Sequence, residues 1–457
     1  MIKTAKQVLA KPFTSNFFFI FLQGIIIGII TGLIVGTFRW IIDHTMKFLF
    51  FIYPLMRQKP IYLVPYIIAT LLIVLILGKI IKPVLSNITG SGVPQVEAVM
   101  LNENKMNWWS ILWRKFVGGL LAICPGLFLG REGPCIQMGA MVGQAFGENL
   151  FHADPDDLKR LQGCGIAAGL SAAFSAPLAG VFFLVEEITF NFTPKEVLTA
   201  LAAAMSSDLM TLCFFGTQPC LYLPLDKSLP LTSYWFLAII GVVLGLLAYL
   251  YQYCLLSLKP VYAKITKIPA IYHSVIPLLL VIPIGLWNAN LLGGSHDFIS
   301  SLFDPTFMKS IQTGALSLIL LPLVWFAVRF IFSMISYGAS VPGGIFMPIL
   351  VLGALLGVVF AVLMIHFNIA PKRCYGIIIV TSMCAYFGTI EKAPFTALTL
   401  LTEMVGSVEQ IFPMLITTFI AYFVLDLLGG KPIYAALRIQ MNYHKLSNLP
   451  KVKHAEE

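Results

Sequence analysis

The chain has 457 residues, of which 58% are hydrophobic and only 11% are charged, whereas an ordinary soluble domain has about 25% charged residues. With a mean hydropathy of +0.87, the chain has too much apolar surface for a water-facing globule, and this predicts a helical membrane protein with many spans. The composition excludes an intrinsically disordered chain, a secreted disulfide framework and a β-barrel, because the apolar runs are continuous rather than alternating.

The net charge of +9 does not predict nucleic-acid binding. Its lysines and arginines are scattered over connecting segments and the two ends, which is typical of the positive-inside rule. The seven His form neither an HExxH motif nor a cluster, so no metal site is predicted. The eight Cys are interpreted as packing residues, with a Cys213–Cys220 disulfide left open as an alternative.

Eleven apolar stretches predict helices along the chain. In order, they lie at about 17–36, 61–81, 110–129, 161–185, 194–215, 232–254, 273–288, 314–333, 345–366, 375–390 and 408–428. The stretch 17–36 is too long for a signal-peptide core and is expected to remain as the first membrane helix. Loop 255–267 is predicted to be cytoplasmic, and loop 216–231, which contains Asp226 and Lys227, to be external.

Lysines and arginines at the two ends predict that both termini are cytoplasmic. They are Lys3, Lys6, Lys11, Lys431, Arg438, Lys445, Lys451 and Lys453.

Several of these stretches are interrupted by Gly and Pro, in a pattern that occurs twice. A Gly/Ser break at 90–92 is followed by a Gly/Pro break at 130–134, and a Gly/Ser break at 293–295 by a Gly/Pro break at 342–348. A helix can end inside a membrane only where its backbone faces protein or a watery cavity. The pattern therefore predicts a transporter of two structural repeats with a site at their interface.

The first break, GSGVP at 90–94, predicts an exposed helix N-terminus. Its glycines permit a sharp turn, and Pro94 suits the first turn of a helix. The free N–H groups and the Ser91 hydroxyl would attract an anion. An ordinary Gly-rich turn between helices is the alternative.

The second break, GREGP at 130–134, adds a carboxylate, Glu132, at a helix start. An ionisable residue inside a membrane segment indicates function. Glu132 could occupy an anion site when ionised and leave it when protonated; alternatively, it complements the helix dipole or pairs with Arg131. The third break, GGIFMP at 343–348, supplies neutral N–H donors at Ile345 and Phe346, which suit a permeating anion.

Four motifs together resemble the CLC chloride channel and transporter family: GSGVP at 90–94, GREGP at 130–134, GGIFMP at 343–348 and GGKPIY at 429–434. The resemblance implies an all-α CLC fold of about eighteen tilted, partly discontinuous helices in two inverted repeats. It also implies a homodimer with one pathway per subunit. The expected divisions are 1–16 (N-terminal cytoplasmic segment), 17–438 (transmembrane domain, with repeats of roughly 17–215 and 232–438) and 439–457 (short tail without CBS domains).

The resemblance also implies roles for particular residues. Ser91 and Tyr434 would be hydroxyl ligands of a central anion, and the N–H groups of Ile345 and Phe346 its backbone ligands. Glu132 would be the gate.

Further positions are expected around this centre. The backbone of Arg131 and Gly133 would border an outer site, and Lys115 would raise the positive potential beneath the pathway. Glu187, at the end of the segment 176–187, resembles the family's internal proton-transfer glutamate; the alternative is a helix cap in water. Glu403 is interpreted as a structural carboxylate, and no role is assigned to Glu186, Asp208 or Asp426.

The resemblance to bacterial members predicts an exchanger of chloride for protons in a bacterial inner or plasma membrane. Its expected partners are chloride, protons and the lipid bilayer, and no nucleic acid is expected. A passive chloride channel of the same family is the main alternative, and a fluoride/proton antiporter a less favoured one. No cofactor is expected. No His lies near Ser91 in sequence, so an enzyme is not predicted.

Overall fold

The computed structural model describes residues 15–221, 223, 225, 229–294, 296–311 and 315–443, with side chains from residue 18 onward. The terminal lysines at 3, 6, 11, 445, 451 and 453 lie outside the described residues, as do Ser295 and the loop residues Asp226 and Lys227.

The described chain is built from α-helices with short 3-10 and π turns between them. In chain order the α-helices are α1 (Ser15–Gln58), α2 (Leu63–Ile81), α3 (Leu85–Ile88), α4 (Val93–Met100), α5 (Trp108–Ile123), α6 (Glu132–Asn149), α7 (Pro155–Phe174), α8 (Pro177–Phe183), α9 (Pro194–Phe215), α10 (Tyr234–Leu256), α11 (Leu258–Ala263), α12 (Val275–Trp287), α13 (His296–Ser301), α14 (Pro305–Ile311), α15 (Leu320–Gly338), α16 (Phe346–His366), α17 (Tyr375–Glu391), α18 (Pro394–Val405), α19 (Ile411–Leu427) and α20 (Ile433–Gln440).

The predicted all-α membrane fold is confirmed. The described residues contain no β-strand, and eight of their helical stretches are long and apolar enough to cross a membrane. The most enclosed of these, Phe346–His366 and Lys372–Glu391, are 89% and 100% buried over their most apolar windows. The core of the molecule therefore lies around α16 and α17, and the outer helices have a larger share of exposed apolar surface.

The first helix is much longer than the stretch 17–36 predicted it to be, because α1 continues to Gln58. Two of its charged residues, Arg39 and Asp43, have partners within the fold and do not end the helix. The Arg39 guanidinium lies 4.0 Å from the Phe215 ring centroid and donates to the carbonyl of Ala172, while Asp43 pairs with Arg131. Burial of a paired charge inside the fold is invisible to a hydropathy count, which is why the sequence placed the end too early.

The predicted stretch 161–185 is divided into two helices. Ser175 has a left-handed backbone (φ 53°), and Pro177 starts α8 immediately afterwards. The second half of the chain repeats this pattern, since Lys392 is left-handed (φ 58°) and Pro394 starts α18. The recurrence agrees with the pairing of breaks seen in the sequence.

The short helices α8 and α18 are joined by two carboxylates, each of which caps the other helix. Glu403 of α18 accepts a hydrogen bond from the Ala179 N–H at 2.9 Å, and Glu186, which follows α8, accepts one from the Thr396 N–H at 2.7 Å. Carboxylates at helix N-termini satisfy free N–H groups and complement the helix dipole. These contacts agree with the structural interpretation of Glu403 and give Glu186 the same role.

Candidate functional site

Three of the chain breaks meet inside the molecule. The Gly90 N–H donates to the Val341 carbonyl at 2.9 Å, and the Gly343 N–H donates to the Gly90 carbonyl at 3.0 Å. Gly130 and Gly344 exchange two backbone hydrogen bonds, of 2.8 and 2.7 Å. Segments that are far apart in sequence are thus held together by their backbones.

The starts of α4, α6 and α16 converge at this junction. A Cβ atom placed on Gly133 would lie 2.6 Å from the Ser91 Cβ, so the first turn of α6 contacts the turn before α4 without space for a side chain. A Cβ on Gly344 would lie 3.2 Å from the Gly133 nitrogen. Three helix N-termini directed at one region create a positive potential and a set of neutral N–H donors.

Ser91 is fully buried at the junction. Its hydroxyl oxygen accepts a hydrogen bond from the Val93 N–H at 3.3 Å, and the Tyr337 hydroxyl lies against it. A hydroxyl that accepts a bond retains its own hydrogen as a donor. Ser91 is therefore equipped to donate to an anion.

The backbone of Ile345 and Phe346 forms the entry to α16. Both residues are buried, with 1% and 0% of their surfaces exposed. The Phe346 ring packs 4.2 Å from the Phe387 ring centroid and 6.3 Å from that of Phe183, both fully buried. N–H groups in the first helical turn have no intrahelical acceptor, so they can bind a ligand in these apolar surroundings.

Tyr434, in the first turn of α20, is fully buried rather than placed in an interfacial aromatic belt. Its ring meets that of Phe183 edge to face at 6.5 Å, and its hydroxyl lies next to the Glu391 carboxyl. Gln252 fixes this region by donating to the carbonyls of Ile390 and Lys431, both at 2.8 Å. The loop before α20 is thereby tied to the end of α17.

Glu132 is fully buried and its carboxylate turns back over Gly130. A Cβ on Gly130 would lie 2.2 Å from the Glu132 Oε2 and 3.2 Å from the Met347 nitrogen, which places the carboxylate beside the N–H groups of α16. A carboxyl oxygen therefore occupies a position at which an anion would be attracted.

Arg131 and Lys115 have well-defined contacts around the junction. The Arg131 guanidinium is directed toward α1 and pairs with Asp43. Lys115 is fully buried, and its ammonium donates to the carbonyls of Ile88 at 2.9 Å and Gly90 at 2.8 Å. Lys115 thus holds the Gly90 turn from beneath.

Glu187 lies in a π-helical turn, Leu184–Thr189, that continues α8. Only 3% of its surface is exposed, so it is not a helix cap in water. The carboxyls of Glu391 and Glu97 lie within electrostatic reach of it. Because π-helical turns often occur at functional sites, the local geometry is consistent with a specialised role.

Two cavities lie near the junction. One of about 30 Å³ is lined by Arg131, Glu132 and His296, and another of about 430 Å³ includes Gly90 and Tyr337 in its walls. They are lined by different residues, with Glu132 in one and the Gly90 turn in the other.

Sequence reasoning missed Tyr337, Gln252 and Glu391. Tyr337 and Gln252 lie within continuous apolar helices, and Glu391 is the last residue of α17, one position beyond the predicted stretch. The intramembrane position of a carboxylate was the available signal for Glu391. Tyr337 and Gln252 could not be found in this way, because their contacts are with segments far away in the sequence.

The remaining predicted positions have ordinary structural contacts. Asp426 pairs with Lys392 at 2.5 Å, and Asp208 accepts a hydrogen bond from the Thr211 hydroxyl at 3.1 Å. Cys213 and Cys220 are free thiols, so the alternative disulfide between them is wrong. The described residues contain no group of three His, Cys, Asp or Glu side chains arranged for a metal ion.

The family model described as "Voltage gated chloride channel" matches residues 73–426. An "H(+)/Cl(-) exchange transporter ClcA" from Vibrio parahaemolyticus serotype O3:K6 is 32% identical over 363 residues, covering 76% of this chain and 73% of its own. The protein of the same name from Yersinia pestis bv. Antiqua (strain Angola) is 29% identical over 358 residues, covering 76% and 72% of the two chains.

Solved structures resemble the whole fold. A structure described as a slow cyanobacterial Cl−/H+ antiporter matches with a TM-score of 0.80 and 26% identity, over 92% of this chain and 97% of that one. A CLC-type fluoride/proton antiporter matches with a TM-score of 0.71 and 20% identity, over 89% and 95% of the two chains. The second likeness concerns the fold alone.

Proposed function

This chain belongs to the voltage-gated chloride channel family, and from that premise we propose that it exchanges chloride for protons across a membrane. The relatives that match it over about three quarters of its length are named as H+/Cl− exchange transporters, not as enzymes. The observation that carries the proposal is the placement of Glu132, whose buried carboxylate lies at the start of α16, where an anion would be attracted.

Chloride binds at the junction of the helix starts. The Ser91 and Tyr434 hydroxyls and the N–H groups of Ile345 and Phe346 donate hydrogen bonds to it. Neutral donors and helix dipoles bind chloride strongly enough for entry and weakly enough for release, whereas a direct ion pair would hold it too long. Lys115 contributes positive potential through the Gly90 turn that it holds.

Glu132 competes with chloride for the outer part of this site, bordered by the backbone of Arg131 and Gly133. The ionised carboxylate occupies the helix starts; chloride displaces it, and protonation removes its charge so that it leaves. Because the carboxylate and an outer chloride cannot occupy the same space, movement of one is linked to movement of the other. This competition produces exchange.

Glu187 supplies protons to Glu132 by a route that does not pass through the chloride entry. Its burial in the π-helical turn supports this role and weighs against a passive channel, for which Glu187 would be a cap in water. The Ser91 hydroxyl favours chloride over fluoride as the substrate, since fluoride exporters of the family usually depart from Ser at this position. A halide competition assay separates these two substrates.

The experiment uses purified protein in liposomes and two substitutions. Glu132→Ala leaves chloride flux but abolishes linked proton movement. Glu187→Ala, at the other end of the proposed proton route, is also expected to keep chloride flux and lose linked proton movement. Proton movement that stays linked and pH-dependent in Glu132→Ala would refute the gate. Unchanged coupling in Glu187→Ala would place the proton route elsewhere.

The family resemblance also supports a homodimer with a pathway in each subunit, in a bacterial inner or plasma membrane with both termini cytoplasmic. We propose the domain limits 17–438 and the repeats 17–215 and 232–438 on the same ground. The resemblance implies one pathway per subunit, so each subunit is expected to work independently. Joining a wild-type and a Glu132→Ala subunit covalently tests this, with half of the coupled proton movement expected.

A further inference from the structure

We propose that Glu391 is an intermediate proton carrier between Glu187 and Glu132, a role that rests on the exchange function proposed above. Glu391 is the last residue of α17 and is fully buried. Neither of its carboxyl oxygens accepts a well-formed hydrogen bond from the described residues, although the Tyr434 hydroxyl lies next to them. A carboxyl kept in this position is unusual, because burial of an uncompensated charge is costly.

The position of Glu391 connects the two ends of the proton route. It lies within electrostatic reach of both Glu187 and Glu132. The Tyr434 hydroxyl, which is assigned to the chloride site, is its immediate neighbour. A carboxyl within reach of both ends is placed to pass a proton from Glu187 to the gate.

The surroundings between the two ends are otherwise apolar. Phe183, Phe346 and Phe387 are fully buried; the Phe346 ring packs against the other two, and the Phe183 ring packs against that of Tyr434. Phenyl rings neither accept nor donate a proton, so a proton crossing this region needs a titratable side chain or water. Glu391 supplies a titratable side chain in this region.

Charges around Glu391 favour exchange of a proton over permanent ionisation. The titratable groups that face it are Tyr251 from α10, Glu186 and Glu187 from the turn after α8, Tyr434 from α20 and Glu132 from α6. None of these is a cation. The neighbouring Lys392 pairs with Asp426, so its charge is already engaged.

The end of α17 is held in a fixed place for this purpose. Gln252 donates to the Ile390 carbonyl and to the Lys431 carbonyl, both at 2.8 Å, which sets Glu391 and Tyr434 at a constant relative position. Donor and acceptor groups that are held in register transfer protons more readily than mobile ones.

The proton balance is simple. Protonated Glu187 gives its proton to ionised Glu391, and protonated Glu391 then gives a proton to ionised Glu132. Glu391 is ionised again once it has given the proton on, Glu132 is ionised again on release, and Glu187 is reprotonated by the next proton to enter; no oxidant or reductant takes part. One proton moves through the chain of three carboxyls for each release at Glu132.

The test uses the full chain in liposomes with a chloride gradient, no initial pH gradient, and valinomycin with potassium to set the voltage. Chloride flux and proton movement are measured in the same vesicles. In Glu391→Gln we expect chloride flux to persist and proton movement to fall by about 100-fold, the low end of what a positioned proton donor contributes. Glu391→Asp keeps a carboxyl and is expected to recover most of the proton movement.

Glu403→Gln is the matched control, because Glu403 is also a carboxylate in an apolar helix but caps α8 through the Leu178 and Ala179 N–H groups. Its ratio of protons to chloride is expected to equal that of the wild type. If the ratio changed as much in Glu403→Gln as in Glu391→Gln, loss of coupling would follow from removal of either carboxylate, and the relay would be overturned.

Three other results would also overturn the relay: unchanged proton movement in Glu391→Gln, loss of chloride flux together with proton movement in that variant, or failure of Glu391→Asp to recover. The second result would mean that the Glu391 carboxyl maintains the structure of the chloride site. Absence of chloride-driven proton movement in the wild type would instead refute the proposed exchange itself, so the two failures are distinguishable.

Discussion

Replacement of Gly133 by Ala tests whether the close approach of α6 to Ser91 is needed for chloride binding. The added methyl group would lie 2.6 Å from the Ser91 Cβ, 2.7 Å from its carbonyl oxygen and 2.8 Å from its Cα. Carbon atoms pack at about 3.5–4.0 Å, so the two backbones must separate by about 1 Å. Because the crowded atoms include backbone, a rotamer change cannot relieve the contact.

The separation is expected to weaken both stability and binding. Overpacking of this kind costs about 1–3 kcal/mol of folding stability. Displacement of the Ser91 hydroxyl from the N–H groups of α16 should reduce chloride affinity about tenfold, equivalent to about 1.4 kcal/mol. Isothermal titration calorimetry of the purified protein with chloride measures the affinity.

Gly294→Ala is the matched control, because a Cβ there would have its nearest neighbour at 3.4 Å, an ordinary contact. This variant should bind chloride as the wild type does. Wild-type affinity in Gly133→Ala, or an equal loss in both variants, would refute the claim that close packing of α6 against Ser91 shapes the site.

Three further predictions concern the surroundings of the site. Lys115→Met leaves the Ile88 and Gly90 carbonyls without their buried donor, which costs about 1–3 kcal/mol of stability for each carbonyl and is partly offset by removal of a buried ammonium group. Thermal unfolding should show lower stability and chloride calorimetry weaker binding. Unchanged values in both would contradict the assigned contacts. Glu403→Ala removes the cap of α8 and should lower stability by about 2 kcal/mol with the proton-to-chloride ratio unchanged, whereas a changed ratio would make Glu403 a transport residue. Glu132→Gln replaces the proposed gate by a group that does not titrate, so chloride flux measured between acidic and neutral pH should lose most of its pH dependence; a wild-type pH profile would exclude Glu132 as the pH-responsive group.

The sequence was informative where function depends on local backbone chemistry. The Gly/Pro breaks at 90–94, 130–134 and 343–348 indicated helix starts, and the structure brings these starts together. Glu132 was recognisable because a carboxylate at an intramembrane helix start is rare and costly. Local patterns were sufficient for these residues.

Other features depend on contacts between distant segments and could not be read in this way. The charged residues Arg39 and Asp43 lie inside α1, where Arg39 meets the Phe215 ring and Asp43 meets Arg131. Glu391 differs from an ordinary helix-end glutamate only because the fold buries it beside Tyr434. Hydropathy does not contain this tertiary information, because it scores each residue without its partners.

The central claim is most directly tested by chloride-driven proton movement in the unmodified protein. Liposomes containing it are given a chloride gradient with no pH gradient, voltage is set with valinomycin and potassium, and external pH is followed. We expect protons to move against their electrochemical gradient while chloride moves down its own. Chloride flux without such proton movement would contradict coupled exchange and identify the protein as a passive chloride channel.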